Sequence, residues 1–170
     1  MSNRISRRSL LKGATAVGAA AAGAQMFPAP AILANPSPNS TLGTVVIGCM
    51  NQGVPSLNAA AGERLVALVD VDESNLGKAK QWIGEHHPDV KTDGIQTFFD
   101  YRKMFDKIHK DVDAVFIATP DHHHAVASMI AMKLGKHVYV EKPMAHSIEE
   151  VRIMMETARK QKVVTQLGNQ

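Results

Sequence analysis

Two short polar clusters, each following an apolar run, hold the residues best placed to do chemistry. Thr119-Pro120-Asp121 follows Ala114-Val115-Phe116-Ile117-Ala118, and Glu141-Lys142-Pro143 follows Val138-Tyr139-Val140. Near-continuous apolar runs are what parallel strands covered on both faces require. Ligands of such sheets sit beyond the carboxyl ends of the strands, where both clusters fall. Lysines usually lie on solvated surfaces. Lys142, set between a carboxylate and a proline at a strand end, is instead placed to hold or move a proton.

A third cluster, Gly48-Cys49-Met50-Asn51-Gln52-Gly53, follows the apolar strand Thr44–Ile47 and reads G-x-M-x-x-G. A glycine turn leading from a strand into a helix presents backbone N–H groups to a pyrophosphate. Glycine at the middle position lets the backbone approach the phosphates; Met50 adds a side chain there. If that position requires positive φ, methionine costs about 1–2 kcal/mol. Asp70 closes the second strand, 22 residues after Gly48. A carboxylate there accepts hydrogen bonds from ribose hydroxyls and repels a 2′-phosphate, so NAD is expected over NADP. A helix N-cap is the competing role for Asp70, one that Asp72 fills equally well.

His122-His123-His124 invites a metal reading that helix geometry argues against. Consecutive helical residues point about 100° apart, so three in a row do not converge on one ion. No metal is expected. Cys49 is the single cysteine, which rules out an internal disulfide.

From about Gly43 to Gln170 the chain resembles the Gfo/Idh/MocA family of nicotinamide-dependent oxidoreductases. The matching motifs are TPxxxH (Thr119, Pro120, His124) and EKP (Glu141, Lys142, Pro143). The resemblance implies that Lys142 is the catalytic lysine and that Glu141 holds the nicotinamide ribose. Thr119, Pro120 and His124 would line the cofactor's reactive end, and Gly48, Met50, Gly53 and Asp70 its other half. It implies hydride transfer between the nicotinamide and a hydroxyl-bearing carbon of a sugar or cyclitol. Two alternatives stay open: an NAD-dependent glycosidase of the same superfamily, and a non-catalytic nucleotide-binding fragment. Family members continue into a second α/β domain that carries most of the substrate pocket, the oligomer interface and a histidine partner for the lysine. The sequence stops at Gln170, so that domain is expected to be missing and oligomerisation to depend on it.

The elements that must position these clusters follow in alternation. Leu65–Val69 reads as a strand, and Leu76, Ala79, Trp82 and Ile83 mark a helix stopped by Pro88. Gln96–Phe99 is a third strand, and Asp100 caps a helix with Tyr101, Met104, Phe105 and Ile108 on one face. The helix after Asp121 is expected to bury Val126, Met129, Ile130 and Leu134 and to end at Gly135. Ser147 and Glu150 form a capping box for a helix burying Val151, Met154, Met155 and Ala158, before the closing strand Val163–Leu167. The pattern predicts a doubly wound parallel α/β sheet of Rossmann type with about six strands. The methionines fall on these apolar faces and read as core filler.

The formal charge of the 170 residues is +3, but residues 1–34 carry Arg4, Arg7, Arg8 and Lys12 and no acid; without those four the net charge is −1. A nucleic-acid surface is therefore not indicated. Ser6-Arg7-Arg8-Ser9-Leu10-Leu11-Lys12 matches a twin-arginine export signal, which implies export to the periplasm and recognition by the twin-arginine machinery. The apolar stretch from Gly13 to Met26 spans roughly 21 Å as a helix, short of a ~30 Å bilayer core. The chain thus divides into a signal peptide at 1–34, a linker at 35–42 and a dinucleotide-binding domain at 43–170, with a carbohydrate-type small molecule as the expected substrate.

Overall fold

The computed structural model describes residues 41–169. The export signal and most of the linker lie outside the described residues. Six parallel strands form one sheet: β1 Gly43–Ile47, β2 Arg64–Val69, β3 Gln96–Phe98, β4 Ala114–Ile117, β5 His137–Val140 and β6 Thr165–Leu167. Their order is β3-β2-β1-β4-β5-β6, so the chain winds outward in both directions from β1. The β1–β4 boundary is the point of reversal at which such sheets open a crevice.

Successive residues of a strand face opposite sides, and the core divides accordingly. Val45, Ile47, Val115, Ile117, Val138 and Val140 join one buried cluster with Met104, Phe105, Ala131 and Met132. Val46 and Leu68 join the other with Leu57, Ala60, Leu76, Ala79 and Ile83. The helices are α1 Val54–Ala61, α2 Glu73–His86, α3 Tyr101–Ile108, α4 Asp121–Lys133 and α5 Ile148–Gln161.

The expected helix boundaries are built as their residue types require. Asp100 accepts a hydrogen bond from the Arg102 N–H at 2.8 Å. Ser147 Oγ accepts one from the Glu150 N–H at 3.2 Å, and Glu150 returns it by accepting from the Ser147 N–H at 2.9 Å. After α4, Gly135 takes φ +74°, a left-handed conformation that glycine adopts without strain.

Two expected helix faces hold in part: Met129 and Ile130 in α4, and Met154 and Ala158 in α5, join or pack against the core. In α4 the buried residues are His124, Ala125, Ala127, Ser128, Ala131 and Met132, while Val126 and Leu134 are 46% and 41% exposed. The helix is apolar nearly all round, so spacing alone does not choose its inner side; the small residues face the sheet at close range and the large ones flank it. In α5 only Met154 is fully buried, and Met155 is 45% exposed. That helix packs chiefly against α4, toward the edge of the sheet where the last strand's own residues are exposed.

Candidate functional site

The turn after β1 is tight because two glycines leave no room for side chains. Gly48 takes φ +85°, and a Cβ built on it would stand 2.6 Å from the Ala118 carbonyl oxygen. A Cβ on Gly53 would lie 2.0 Å from the Gly48 carbonyl oxygen. The second positive φ of the turn falls on Asn51, at 55°, a residue type that tolerates it.

Met50 itself is extended, at φ −118° and ψ 174°. The conformational cost foreseen for methionine at the middle position is therefore absent. Its half-buried side chain packs on the apolar cluster beneath α1 and α2 and borders the cleft above the turn. Met50→Gly is thus expected to lower stability by about 1–2 kcal/mol, through lost packing and added backbone freedom. It should nevertheless bind a dinucleotide more tightly, since the crowding side chain is gone. Urea unfolding and calorimetric titration of the same preparation would check both signs.

Asp70 ties the turn to the second strand. One carboxylate oxygen accepts from the Cys49 N–H at 3.0 Å, and the other from the Asp72 N–H at 3.0 Å and the Asn75 amide at 3.3 Å. The N-cap of α2 is Asp72, which accepts from the Ser74 N–H at 2.8 Å. Asp70 is therefore not the cap and faces the cleft. Burial, and then the neighbouring Asp70 charge, push the Cys49 thiol up to about 12. The thiol stays protonated, donates to the Val69 carbonyl at 3.5 Å, and is no nucleophile.

Between these groups and the end of β4 lies a cleft of about 460 Å³ at the reversal point of the sheet. Gly48, Met50 and Asp70 border one side; Thr119 and Pro120 border the other. The Thr119 hydroxyl is buried without a hydrogen-bond partner among the described residues. Val71 and Phe99, 89% and 56% exposed, stand at the mouth. Each lies within two residues of a strand end and is a large apolar side chain where polar residues prevail. His123 also lines the cleft, with Nδ1 3.3 Å from the Tyr101 hydroxyl.

The remaining candidates stand behind or beside this cleft. Glu141 is 4% exposed and accepts a hydrogen bond from the Tyr139 hydroxyl at 3.2 Å. Gly168 covers it so closely that a Cβ there would lie 2.5 Å from a Glu141 carboxylate oxygen. Lys142 is exposed and its ammonium has no partner among the described residues; the Lys142–Pro143 peptide is cis. His124 is buried, with its ring held between the Pro143 and Thr119 carbonyls rather than bordering the cleft. Of the three consecutive histidines, His122 and His123 both line the cleft with ring centroids 4.7 Å apart, while His124 points inward. On the surface, Asp121 and His146 link the loops after β4 and β5 at 3.4 Å. The hydrogen bond from His146, with one from the His122 N–H, holds the Asp121 carboxyl below the usual carboxylate range.

The site fits a dinucleotide. A cradle that any Cβ would fill, a ribose-side carboxylate already oriented by the turn, and an orphaned hydroxyl on the facing loop suit a phosphate-linked ligand laid across the sheet.

Residues 42–169 match the family described as an oxidoreductase family with an NAD-binding Rossmann fold, Gfo/Idh/MocA. A glycosyl hydrolase family 109 protein of Solibacter usitatus is 32% identical over 167 residues, spanning 92% of this chain and 37% of that protein. An alpha-N-acetylgalactosaminidase of Bacteroides fragilis is 33% identical over 118 residues, spanning 67% of this chain and 27% of that protein. Among solved structures, the scyllo-inositol dehydrogenase of Lactobacillus casei with bound NAD(H) and scyllo-inositol is 26% identical at a TM-score of 0.62, covering 75% of this chain and 36% of that one. The myo-inositol 2-dehydrogenase of Lactobacillus plantarum is 25% identical at a TM-score of 0.61, with the same coverage of 75% and 36%. The chain thus spans between 27% and 37% of the length of these relatives.

Proposed function

This chain belongs to the Gfo/Idh/MocA oxidoreductase family through its NAD-binding Rossmann fold, and on that premise we propose that it holds NAD for the oxidation of a hydroxyl-bearing carbon of a sugar or cyclitol. The observation that carries the proposal is the glycine turn fastened to Asp70 through the Cys49 N–H at 3.0 Å. That bond leaves the carboxylate aimed at the cleft, where it accepts from ribose hydroxyls. A 2′-phosphate would meet the same negative charge, which favours NAD over NADP. Bound NAD supplies the hydride acceptor. The turn gives its backbone N–H groups to the pyrophosphate, and Thr119 offers its unpartnered hydroxyl across the cleft. Lys142, as its free amine, accepts the hydrogen bond and then the proton of the substrate hydroxyl, and passes that proton on to water.

A second reading is favoured by the names of the sequence relatives, which are glycosyl hydrolases. Such an enzyme oxidises its sugar transiently, eliminates the leaving group, adds water and restores the hydroxyl. Both readings begin with oxidation at a hydroxyl-bearing carbon. Product analysis with sugars, cyclitols and aryl glycosides tests them together. A dehydrogenase accumulates reduced nicotinamide in step with oxidised product; a glycosidase releases aglycone with no net reduced cofactor. Neither signal from a preparation that binds NAD would overturn the catalytic proposal.

Export through the twin-arginine pathway belongs to the same proposal, on the strength of Arg7-Arg8 and the apolar stretch behind them. That pathway carries folded proteins, so the cofactor would be loaded before transport. Changing both arginines to lysine should leave the protein in the cytoplasm. Periplasmic recovery unchanged by the double substitution would sink this part.

A further inference from the structure

The ring of His124 is 2% exposed and lies between two backbone carbonyls. Nδ1 is 2.6 Å from the Pro143 oxygen and Nε2 is 2.6 Å from the Thr119 oxygen. Carbonyl oxygens only accept, whereas a neutral imidazole has one N–H and one bare nitrogen. A neutral ring would hold a lone pair against an oxygen lone pair at that short distance, out of reach of water. Only a ring with a proton on each nitrogen turns both contacts into hydrogen bonds.

We propose that His124 is a doubly protonated positioning residue that clamps the loop after β4 to the loop after β5. The charge sits near the start of α4, where the helix dipole disfavours a cation. Removal from water opposes the charge more strongly than the dipole does, and two short charge-assisted bonds to carbonyls are what offset both costs. The clamp acts through the backbone: Thr119 borders the cleft, and Pro143 directly follows Glu141-Lys142. It therefore fixes how far the Glu141-Lys142 segment stands from the cleft edge. The consequence for NAD rests on the cofactor reading above; the protonation of the ring does not.

The direct test is nuclear magnetic resonance of the full chain labelled with ¹⁵N-histidine, at about pH 7.5, where an unconstrained imidazole is mostly neutral. The expected result is one histidine with two proton-bearing ring nitrogens and slowly exchanging N–H signals, assigned by its loss in His124→Gln. A His124 ring with one bare nitrogen overturns the proposal. In a second arm, His124→Leu removes both donors. Hydrogen exchange at residues 141–146 should quicken and the Kd for NAD should rise about tenfold. Unchanged exchange at those residues in a folded His124→Leu protein overturns the clamp. Wild-type chain that fails to bind NAD removes the cofactor reading instead, and the ring and exchange measurements still decide the clamp.

Discussion

Gly53→Ala is expected to abolish detectable NAD binding and to cost about 1–3 kcal/mol of stability. The added Cβ would lie 2.0 Å from the Gly48 carbonyl oxygen and 2.9 Å from its carbon. Both are backbone atoms of the same turn, so neither can swing aside, and relief requires the turn to open. Opening it moves the N–H groups that would hold the pyrophosphate. Gly48→Ala meets the Ala118 carbonyl oxygen at 2.6 Å and adds the strain of φ +85° on a residue with a side chain, roughly a further 1–2 kcal/mol. Gly84 provides the contrast: it lies inside α2 with nothing within 4 Å of an added Cβ. Gly84→Ala should therefore raise stability by about 0.5–1 kcal/mol and leave binding unchanged. Urea midpoints and calorimetric titrations of the three variants would show whether the cost follows the turn or merely the loss of glycine.

Lys142→Ala carries the largest expected effect on chemistry. The ammonium is exposed at the end of β5 and has no partner among the described residues, so truncating it removes no internal bond. Stability should change by no more than about 0.5 kcal/mol. A positioned proton-transfer group contributes about 10²–10⁴-fold to rate, and that is the expected loss in single-turnover oxidation of substrate. Affinity for NAD should stay within about twofold, because the cleft is bordered by other residues. A rate loss accompanied by an equal loss of cofactor affinity would make Lys142 a binding group instead. Oxidation that proceeds at the unaltered rate would remove it from the reaction.

The sheet, the capping box at Ser147, the cap at Asp100 and the turn of Gly48 and Gly53 are legible in the sequence because local chemistry dictates them. Strands buried on both faces need apolar runs, and a left-handed residue after α4 needs glycine. Asp70 is legible too, by its distance from the turn and its place at a strand end. What the sequence leaves open is direction. In α4, Val126 and Leu134 and the set Ala125, Ser128 and Ala131 both recur at helical spacing; contact with the sheet selects the smaller set. Met50 shows the same limit at the level of one torsion. The turn places its positive φ on Gly48 and Asn51, a choice set by the packing of Gly53 against Gly48 rather than by the motif's spacing. His124 is identifiable by its motif, but the motif does not tell a ring that faces the cleft from one turned back onto two carbonyls.

The central claim, that the crevice between β1 and β4 holds NAD, is tested most directly by calorimetric titration of NAD and NADP into the full chain, repeated with Asp70→Ala. The account predicts saturable one-to-one binding of NAD by the native protein. NADP should bind more weakly by about tenfold or more, a difference of roughly 1.4 kcal/mol. Asp70→Ala should lose NAD affinity and narrow that gap. Folded native protein that takes up no NAD, or that binds NADP as tightly as NAD with Asp70 in place, would contradict it.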